Sequence, residues 1–165
     1  MKGFLRTAAL NLVLFGATTG AQAASDQTSF AVKLTVTSTC DINTVPATDI
    51  EFGSHSSTST NINSTGSLTV NCTIGTPYTI ALDSGVNNNG SIRRMAGQDS
   101  FNSGVYVPYE LYKNSARTEV WNDGSGTYAG TGTGANESVP VYASVASMNV
   151  AAGDYLDTVT AFITY

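Results

Sequence analysis

Apolar and polar residues alternate along most of the chain, in short runs separated by small and polar residues. In the first clear run, Phe30, Val32, Leu34 and Val36 are separated by one small or polar residue each. A period of two places every second side chain on the same face of an extended backbone. This run therefore predicts a β-strand with one buried face.

The same pattern recurs along the rest of the chain and predicts further strands. The additional predicted strands are residues 50–52, 68–72, 78–82, 92–95, 105–111, 118–121, 139–145 and 158–165. Two stretches rich in Ser, Thr, Asn and Gly, residues 54–65 and 122–136, predict long loops. Pro108 lies inside a predicted strand and indicates an edge or a bulge. Many short strands without a convincing helix predict an all-β, antiparallel sandwich of the immunoglobulin-like kind.

The first 23 residues have the organisation of a secretory signal peptide. Lys2 and Arg6 supply a positive start, residues 7–17 are mostly apolar, and Ala21–Ala23 is a small-x-small cleavage site. A buried N-terminal helix is the alternative interpretation. The apolar run is shorter than the roughly 20 residues that span a bilayer. We expect an exported protein whose chain starts after residue 23.

Removal of residues 1–23 takes away two of the seven basic residues and leaves all twelve acidic ones, which gives a formal net charge of −7. Nucleic-acid binding requires clustered Lys and Arg, and an anionic membrane surface attracts basic segments. The charge therefore argues against both partners. No later stretch is long and apolar enough to predict membrane insertion.

Cys40 and Cys72 are the two cysteines of the chain. An even number of cysteines in an exported protein predicts one disulfide, and two buried free thiols are the alternative. A metal site is disfavoured, because the chain has no Cys-x-x-Cys pair and a single histidine, His55.

Nothing in the sequence predicts an enzyme. There is no Gly-x-Ser-x-Gly nucleophile turn, and the glycine-rich run 130–134 lacks the lysine of a phosphate-binding loop. We therefore expect no catalytic residues, no cofactor and no bound metal.

The two ends of the predicted sandwich suggest that it is one strand short. Residues 24–39, between the cleavage site and Cys40, have room for one strand and a short linker. The last predicted strand runs to Tyr165. A sandwich that stops on a core strand exposes an apolar groove with unpaired backbone groups, and a strand from another molecule can fill it.

This hypothesis assigns residues to each partner. The donor residues would be Phe30, Val32, Leu34 and Val36. The groove would be edged by the last strand, with Val159, Ala161, Ile163 and Tyr165 facing the core, and by Ile50 and Phe52 on the other side. The alternative is that residues 30–36 are an ordinary first strand of their own domain.

Several segments, in this order, resemble the spore coat protein U-type domain family, which includes the subunits of archaic chaperone–usher pili. The matching segments after the alternating strand that ends at Cys40 are residues 52–53 (FG), 66–73 (GSLTVNCT), 77–85 (PYTIALDSG), 93–95 (RRM), 107–112 (VPYELY), Trp121, 152–159 (AGDYLDTV) and 164–165 (TY). The sequence departs from the family pattern at Ala161, where the family usually has Val, and at Phe162, which falls on the outward face.

The resemblance implies residues 24–39 as donor strand and linker and residues 40–165 as an incomplete pilin domain. In such a family a periplasmic chaperone fills the groove first. At an outer-membrane usher, the N-terminal strand of the next, identical or homologous subunit replaces the chaperone. The product is a surface fibre, a pilus or fimbrium, that serves attachment and biofilm formation.

Two other functions remain open from the sequence. One is a carbohydrate-binding module or tip adhesin, for which aromatic side chains would form stacking surfaces. The candidates are Tyr106, Tyr109, Tyr112, Trp121 and Tyr128. The other is a spore or cell coat protein outside any pilus.

Overall fold

The computed structural model describes residues 20–90 and 92–165. The chain divides into two units, Met1–Thr35 and Val36–Tyr165. The predicted positive start and apolar core of the signal peptide, residues 2–17, lie outside the described residues. Residues 20–35 of the first unit have no regular secondary structure and are exposed to solvent, including the predicted cleavage site.

The described residues of the second unit contain nine β-strands and no helix. In chain order they are β1 (Cys40–Asp41), β2 (Thr60–Cys72), β3 (Pro77–Leu82), β4 (Arg93–Gly97), β5 (Tyr106–Tyr112), β6 (Tyr128–Thr131), β7 (Asn136–Ser147), β8 (Tyr155–Leu156) and β9 (Ala161–Thr164). Within residues 20–90 and 92–165, no helix has the length and apolarity needed to cross a membrane.

The strands form two antiparallel sheets, so the predicted all-β sandwich is confirmed. One sheet has the strand order β1-β2-β7-β5-β4-β8, and the other has the order β6-β3-β9. The main core cluster takes buried side chains from both sheets. Its members are Val70, Cys72, Tyr78, Ile80, Leu82, Leu111, Trp121, Val139, Val141 and Ala143.

The alternation of apolar residues located the central strands correctly. In β3, Tyr78, Ile80 and Leu82 are buried, and in β7 every second residue from Val139 to Val145 is buried. Pro108 lies in β5 opposite Arg94 of β4, whereas β5 pairs with β7 only from Glu110 onwards. At Pro108, β5 has no β7 residue opposite it. The backbone N–H that proline lacks is therefore not needed for a hydrogen bond to β7.

Both predicted long loops are wrong in part. Residues 60–65 belong to β2, where they pair with residues 142–147 of β7 and bury Ile62. The other residues of this part of β2 are polar, so the hydrophobic pattern did not predict a strand here. The second loop contains β6, in which Gly130 packs so closely on Tyr78 that an added Cβ would lie 2.3 Å from the tyrosine ring. Glycine is therefore needed at this position so that β6 can pack on Tyr78, although the glycine-rich sequence had predicted a loop.

Four predicted strands are shorter or absent. Residues 30–36 and 50–52 form no strand, and the last strand is reduced to β9, four residues long, preceded by the separate β8. Residues 118–121 form a single bridge, from Val120 to Tyr112, and the Trp121 N–H donates to the Leu111 carbonyl at 2.8 Å.

Candidate functional site

The predicted donor residues lie in an exposed stretch without secondary structure, residues 24–39, which we call the N-terminal segment. Phe30, Val32, Leu34 and Val36 are 85%, 87%, 88% and 75% exposed. Four large apolar side chains at alternate positions are unusual on a soluble surface, because each exposes area that burial would stabilise. Their role as donor residues stays a prediction.

The N-terminal segment ends at a firmly held point of the second unit. Thr73 donates its backbone N–H to the Thr39 carbonyl at 2.9 Å, and the Thr39 N–H donates to the Thr73 hydroxyl at 3.1 Å. The next residue, Cys40, is the register partner of Cys72, and the predicted disulfide joins the two. These contacts fix the point from which the segment leaves the sheet.

The predicted acceptor strand lies at an edge. Among the described residues, β9 pairs with β3 and with no other strand, in the register Leu82 to Ala161 through Thr79 to Thr164. Val159, Ala161 and Ile163 are half-buried and pack against the main core cluster. Tyr165 follows the strand and is 58% exposed, so it does not share the inward position of the other three.

The segment after β1 supplies apolar side chains to the same core cluster. Ile42, Ile50 and Phe52 are half-buried against it. Three hydrogen bonds hold this segment to β2. The Thr48 N–H donates to the Ser67 carbonyl at 2.9 Å, the hydroxyls of the same two residues lie 3.1 Å apart, and the Ser64 hydroxyl donates to the Glu51 carbonyl at 2.6 Å. The members of the core cluster are themselves buried, whereas the apolar side chains that β9 and this segment pack against it are partly exposed.

A dense set of hydrogen bonds holds the chain just before β9. The Asp83 N–H donates to the Thr160 carbonyl at 3.0 Å, and the Thr160 N–H donates to Oδ1 of Asp83 at 2.9 Å. The Val86 N–H donates to the Thr158 carbonyl at 3.1 Å. Since Asp83 directly follows Leu82, the partner of Ala161, these bonds continue the β3–β9 pairing beyond the strand.

Asp157 is the centre of the same set. Its Oδ1 accepts from the backbone N–H and the side-chain amide of Asn87, both at 3.0 Å, and its Oδ2 accepts from the Tyr109 hydroxyl at 2.7 Å. Burial first, and then the Asp157 carboxylate, raise the pKa of Tyr109 well above its ordinary value. Gly85, at φ +79°, makes room for the carboxylate, because an added Cβ would fall 2.1 Å from Oδ2.

Arg93, the first residue of β4, contacts the chain that follows β3. It is only 3% exposed, and its guanidinium donates to the carbonyls of Leu82 and Asp83 and to the Glu110 carboxylate, the last at 2.8 Å. Asp83, Gly85, Arg93, Tyr109 and Asp157 all belong to segments that resemble the family pattern. From the sequence, Tyr109 was considered only for a stacking surface, and the other four were assigned no role. The local sequence signal in this set is Asp83-Ser84-Gly85, whose residue types are typical of a turn.

Four of the five aromatic candidates for a stacking surface, Tyr106, Tyr109, Trp121 and Tyr128, make contacts within the protein. Trp121 is fully buried, donates its indole N–H to the Ile80 carbonyl at 2.8 Å and stacks on Tyr128 at 5.4 Å between ring centres. The hydroxyl of Tyr109 is bound to Asp157. Tyr106 lies at the surface beneath the guanidinium of Arg94, 4.1 Å from the ring centre.

The residues considered for catalysis or metal binding are engaged in structural contacts. His55 is exposed, and its Nε2 lies 2.7 Å from the Phe52 carbonyl. The glycine-rich run ends β6 and returns to β2, where the Gly134 N–H donates to the Cys72 carbonyl at 3.0 Å. Within the described part of the chain, no group of three or more His, Cys, Asp or Glu is arranged to hold a metal ion.

Comparison with protein families matches residues 26–162 to the model described as "Spore Coat Protein U domain". Among proteins of curated function, none matches the sequence significantly.

Among solved structures, the chain matches two complexes from pili or fimbriae, and the first of them is similar in fold. One is the complex of the chaperone CsuC with the tip adhesion subunit CsuE from archaic chaperone–usher Csu pili of Acinetobacter baumannii. The TM-score is 0.55 at 21% identity over 79% of this chain and 40% of the matched chain. The other is a chaperone–tip adhesin complex of CFA/I fimbriae, with a TM-score of 0.38 at 9% identity over 77% and 41% of the two chains. The present chain thus spans about two fifths of the length of each matched chain.

Proposed function

Because this chain belongs to the Spore Coat Protein U domain family, we propose that it is a structural subunit of an exported surface fibre, a pilus assembled by the chaperone–usher route. The observation that carries the proposal is the N-terminal segment. Its four alternating apolar side chains are 75–88% exposed in a stretch without a strand, although their pattern is that of a buried strand.

In the proposed assembly step, the N-terminal segment of one subunit pairs with the free edge of β9 in another. Phe30, Val32, Leu34 and Val36 enter the groove and cover the core between β9 and the segment 42–52. Burial of four such side chains contributes about 6–12 kcal/mol before the cost of ordering the segment. Backbone hydrogen bonds to the edge strand add affinity, and the apolar side chains set the register.

The proposed partners follow from the open edge. A subunit with an unpaired apolar edge aggregates unless it is covered. A periplasmic chaperone would cover the groove after export, and an outer-membrane usher would exchange it for the next subunit, identical or homologous. The CsuC–CsuE structure, which its description calls a pre-assembly complex, supports a chaperone partner by analogy. The fibre would stand on the cell surface and serve attachment and biofilm formation.

The proposal assigns no reaction to the chain, so the protein acts as a building block and not as an enzyme. Its binding energy comes from strand pairing and apolar burial, and neither requires a cofactor or metal.

A peptide-binding experiment tests the proposal. A synthetic peptide of residues 24–39 is added in excess to the chain from residue 24 onward, kept dilute to limit polymerisation, and the melting temperature is recorded. Ligand at about 100 times its dissociation constant stabilises by roughly 2.7 kcal/mol, so we expect an increase of several degrees.

Two matched peptides serve as controls. Leu34→Asp places a charge on the predicted inward face and should abolish the increase, whereas Thr35→Asp places the same charge on the outward face and should retain most of it. A melting temperature that no peptide changes, or that both variant peptides change equally, contradicts donor-strand pairing.

A further inference from the structure

We propose that Asp83, Tyr109 and Asp157 are positioning residues, which hold β9 in its binding register before a donor strand arrives. The inference rests on the proposed function, because it concerns the strand that would receive the donor. It concerns the free subunit, in which β9 must keep its inward residues turned towards the core without a second neighbour.

The strand itself has little to hold it. It is four residues long, it pairs with β3 alone among the described residues, and its inward side chains are only half-buried. Short edge strands with hydrogen bonds on one side open readily, since few contacts oppose the gain in conformational entropy. A mechanism that limits this opening would keep the edge ready for pairing.

Register is the property most sensitive to such opening. A shift of one residue would turn Ala161 and Ile163 outwards and bring Phe162, which is 54% exposed, into the groove. A donor strand with apolar residues at alternate positions would then meet the wrong face. The binding-competent state is therefore one register among alternatives.

The hydrogen bonds before β9 select that register. Asp83 binds both backbone groups of Thr160, the residue next to Ala161, at 2.9 and 3.0 Å. Its carboxylate takes the place of the strand carbonyl that would otherwise continue the ladder. Because Asp83 is covalently next to Leu82, the register partner of Ala161, this contact is satisfied in one alignment only.

Asp157 adds a second fixed point three residues upstream of Thr160. Both of its carboxylate oxygens are engaged, one with Asn87 in the turn after β3 and one with Tyr109 in β5. Tyr109 belongs to the six-stranded sheet, whereas β9 belongs to the three-stranded sheet. Asp157 directly follows β8 of that six-stranded sheet, at the point where the chain leaves it for β9. The Tyr109–Asp157 bond therefore fixes the start of the connection to β9 relative to the six-stranded sheet.

Amide hydrogen exchange of the chain from residue 24 onward tests the inference directly. In Tyr109→Phe and Asp157→Ala we expect the amides of Phe162 and Thr164, which face β3, to exchange about tenfold faster, while those of Val141 and Ala143 in β7 change little. Asp157→Asn, which keeps an acceptor for Asn87, should recover most of the protection. Tyr155→Phe is the matched control, since it removes a hydroxyl that donates to the Ala151 carbonyl, outside this set.

The association rate of a fluorescent peptide of residues 24–39 supplies the functional measurement. If the binding register falls to about a tenth of the population, the apparent affinity falls about tenfold. We expect this loss in Tyr109→Phe to appear in the association rate, with the dissociation rate changed less than about twofold, and to be absent in Tyr155→Phe.

The outcomes separate the two proposals. Unchanged exchange in β9, or equally faster exchange in β9 and β7, overturns the positioning role whether or not the peptide binds. Failure of the unaltered chain to bind the peptide overturns the proposed function, while faster exchange confined to β9 would still support the positioning role. If Asp157→Ala does not fold, Tyr109→Phe alone decides, since it removes one hydroxyl and preserves the ring packing.

Discussion

Removal of the disulfide should destabilise the second unit more than any single surface change. Cys40 and Cys72 are directly opposite each other in β1 and β2, and Cys72 is fully buried in the main core cluster. β1 has only two residues, so few other contacts hold it to β2. The perturbation is the double variant Cys40→Ala with Cys72→Ala, which leaves the Thr39–Thr73 hydrogen bonds in place.

The size of the effect follows from the length of chain that the bond closes. The two cysteines are 32 residues apart, and in the chain-entropy model a loop of this length corresponds to about 3–4 kcal/mol. For a domain of this size, 1 kcal/mol corresponds to roughly 3–4 °C in melting temperature. We therefore expect a decrease of roughly 10–15 °C.

The assay is thermal and urea unfolding followed by circular dichroism, with and without dithiothreitol. The reducing agent should lower the stability of the unaltered chain to nearly that of the double variant, and it should leave the double variant unchanged. If thiol titration shows complete reduction and the free energy of unfolding decreases by less than about 1 kcal/mol, the reasoning from loop closure is refuted.

Three further predictions concern single residues. Trp121→Phe removes the indole donor of the buried Ile80 carbonyl and leaves a cavity, so the free energy of unfolding in urea should decrease by about 2–4 kcal/mol. Ile163→Ser should weaken binding of a peptide of residues 24–39 about 10–100-fold in a fluorescence titration, whereas Phe162→Ser, on the exposed face, should change it less than about threefold. The raised pKa of Tyr109 stabilises the fold below the ordinary tyrosine value of 10.0, and this stabilisation is lost as the pH rises above it. The decrease in stability between pH 10 and 11, up to about 1.4 kcal/mol per pH unit for one proton, should be smaller in Tyr109→Phe when urea unfolding is compared at both pH values.

The central strands could be predicted from the sequence because their alternation is complete on one face. In β7, four small or branched apolar residues from Val139 to Val145 alternate with more exposed residues, which is the pattern of a strand with one buried face. The first half of β2 could not be predicted in this way. Residues 60–65 contain one buried apolar residue, Ile62, and form a strand because β7 lies beside them.

The candidate site likewise has one part that could be predicted from the sequence and one part that could not. The donor residues and the inward residues of β9 follow from alternation alone, a local property of the sequence. Asp157 forms hydrogen bonds with Asn87 and Tyr109, which lie 70 and 48 positions before it in the sequence. No local pattern encodes such contacts, because they depend on how the turn after β3 and strand β5 meet the chain before β9.

The position of Tyr165 illustrates a further limit. Alternation places it in phase with Ala161 and Ile163, but β9 ends at Thr164 and the tyrosine is exposed. Alternation predicts which side chains are buried only where the backbone is part of a strand. The last residues of a chain are often poorly held, because they lack the pairing that keeps the backbone extended.

On the proposed function, the donor and the acceptor are different surfaces of the same chain, and this has a consequence for assembly. Contacts between unlike surfaces leave every assembly with one unused donor at one end and one unused acceptor at the other, so growth does not stop at a dimer unless the geometry closes a ring. Free subunits would therefore polymerise wherever they meet, including in the compartment they first enter. If growth is to occur at one location only, the acceptor edge must stay covered until the subunit reaches that location. A chaperone that covers β9 meets this requirement. A purified chain without such a cover should accordingly form longer assemblies as its concentration rises, and Leu34→Asp, on the inward face of the donor, should stop that growth.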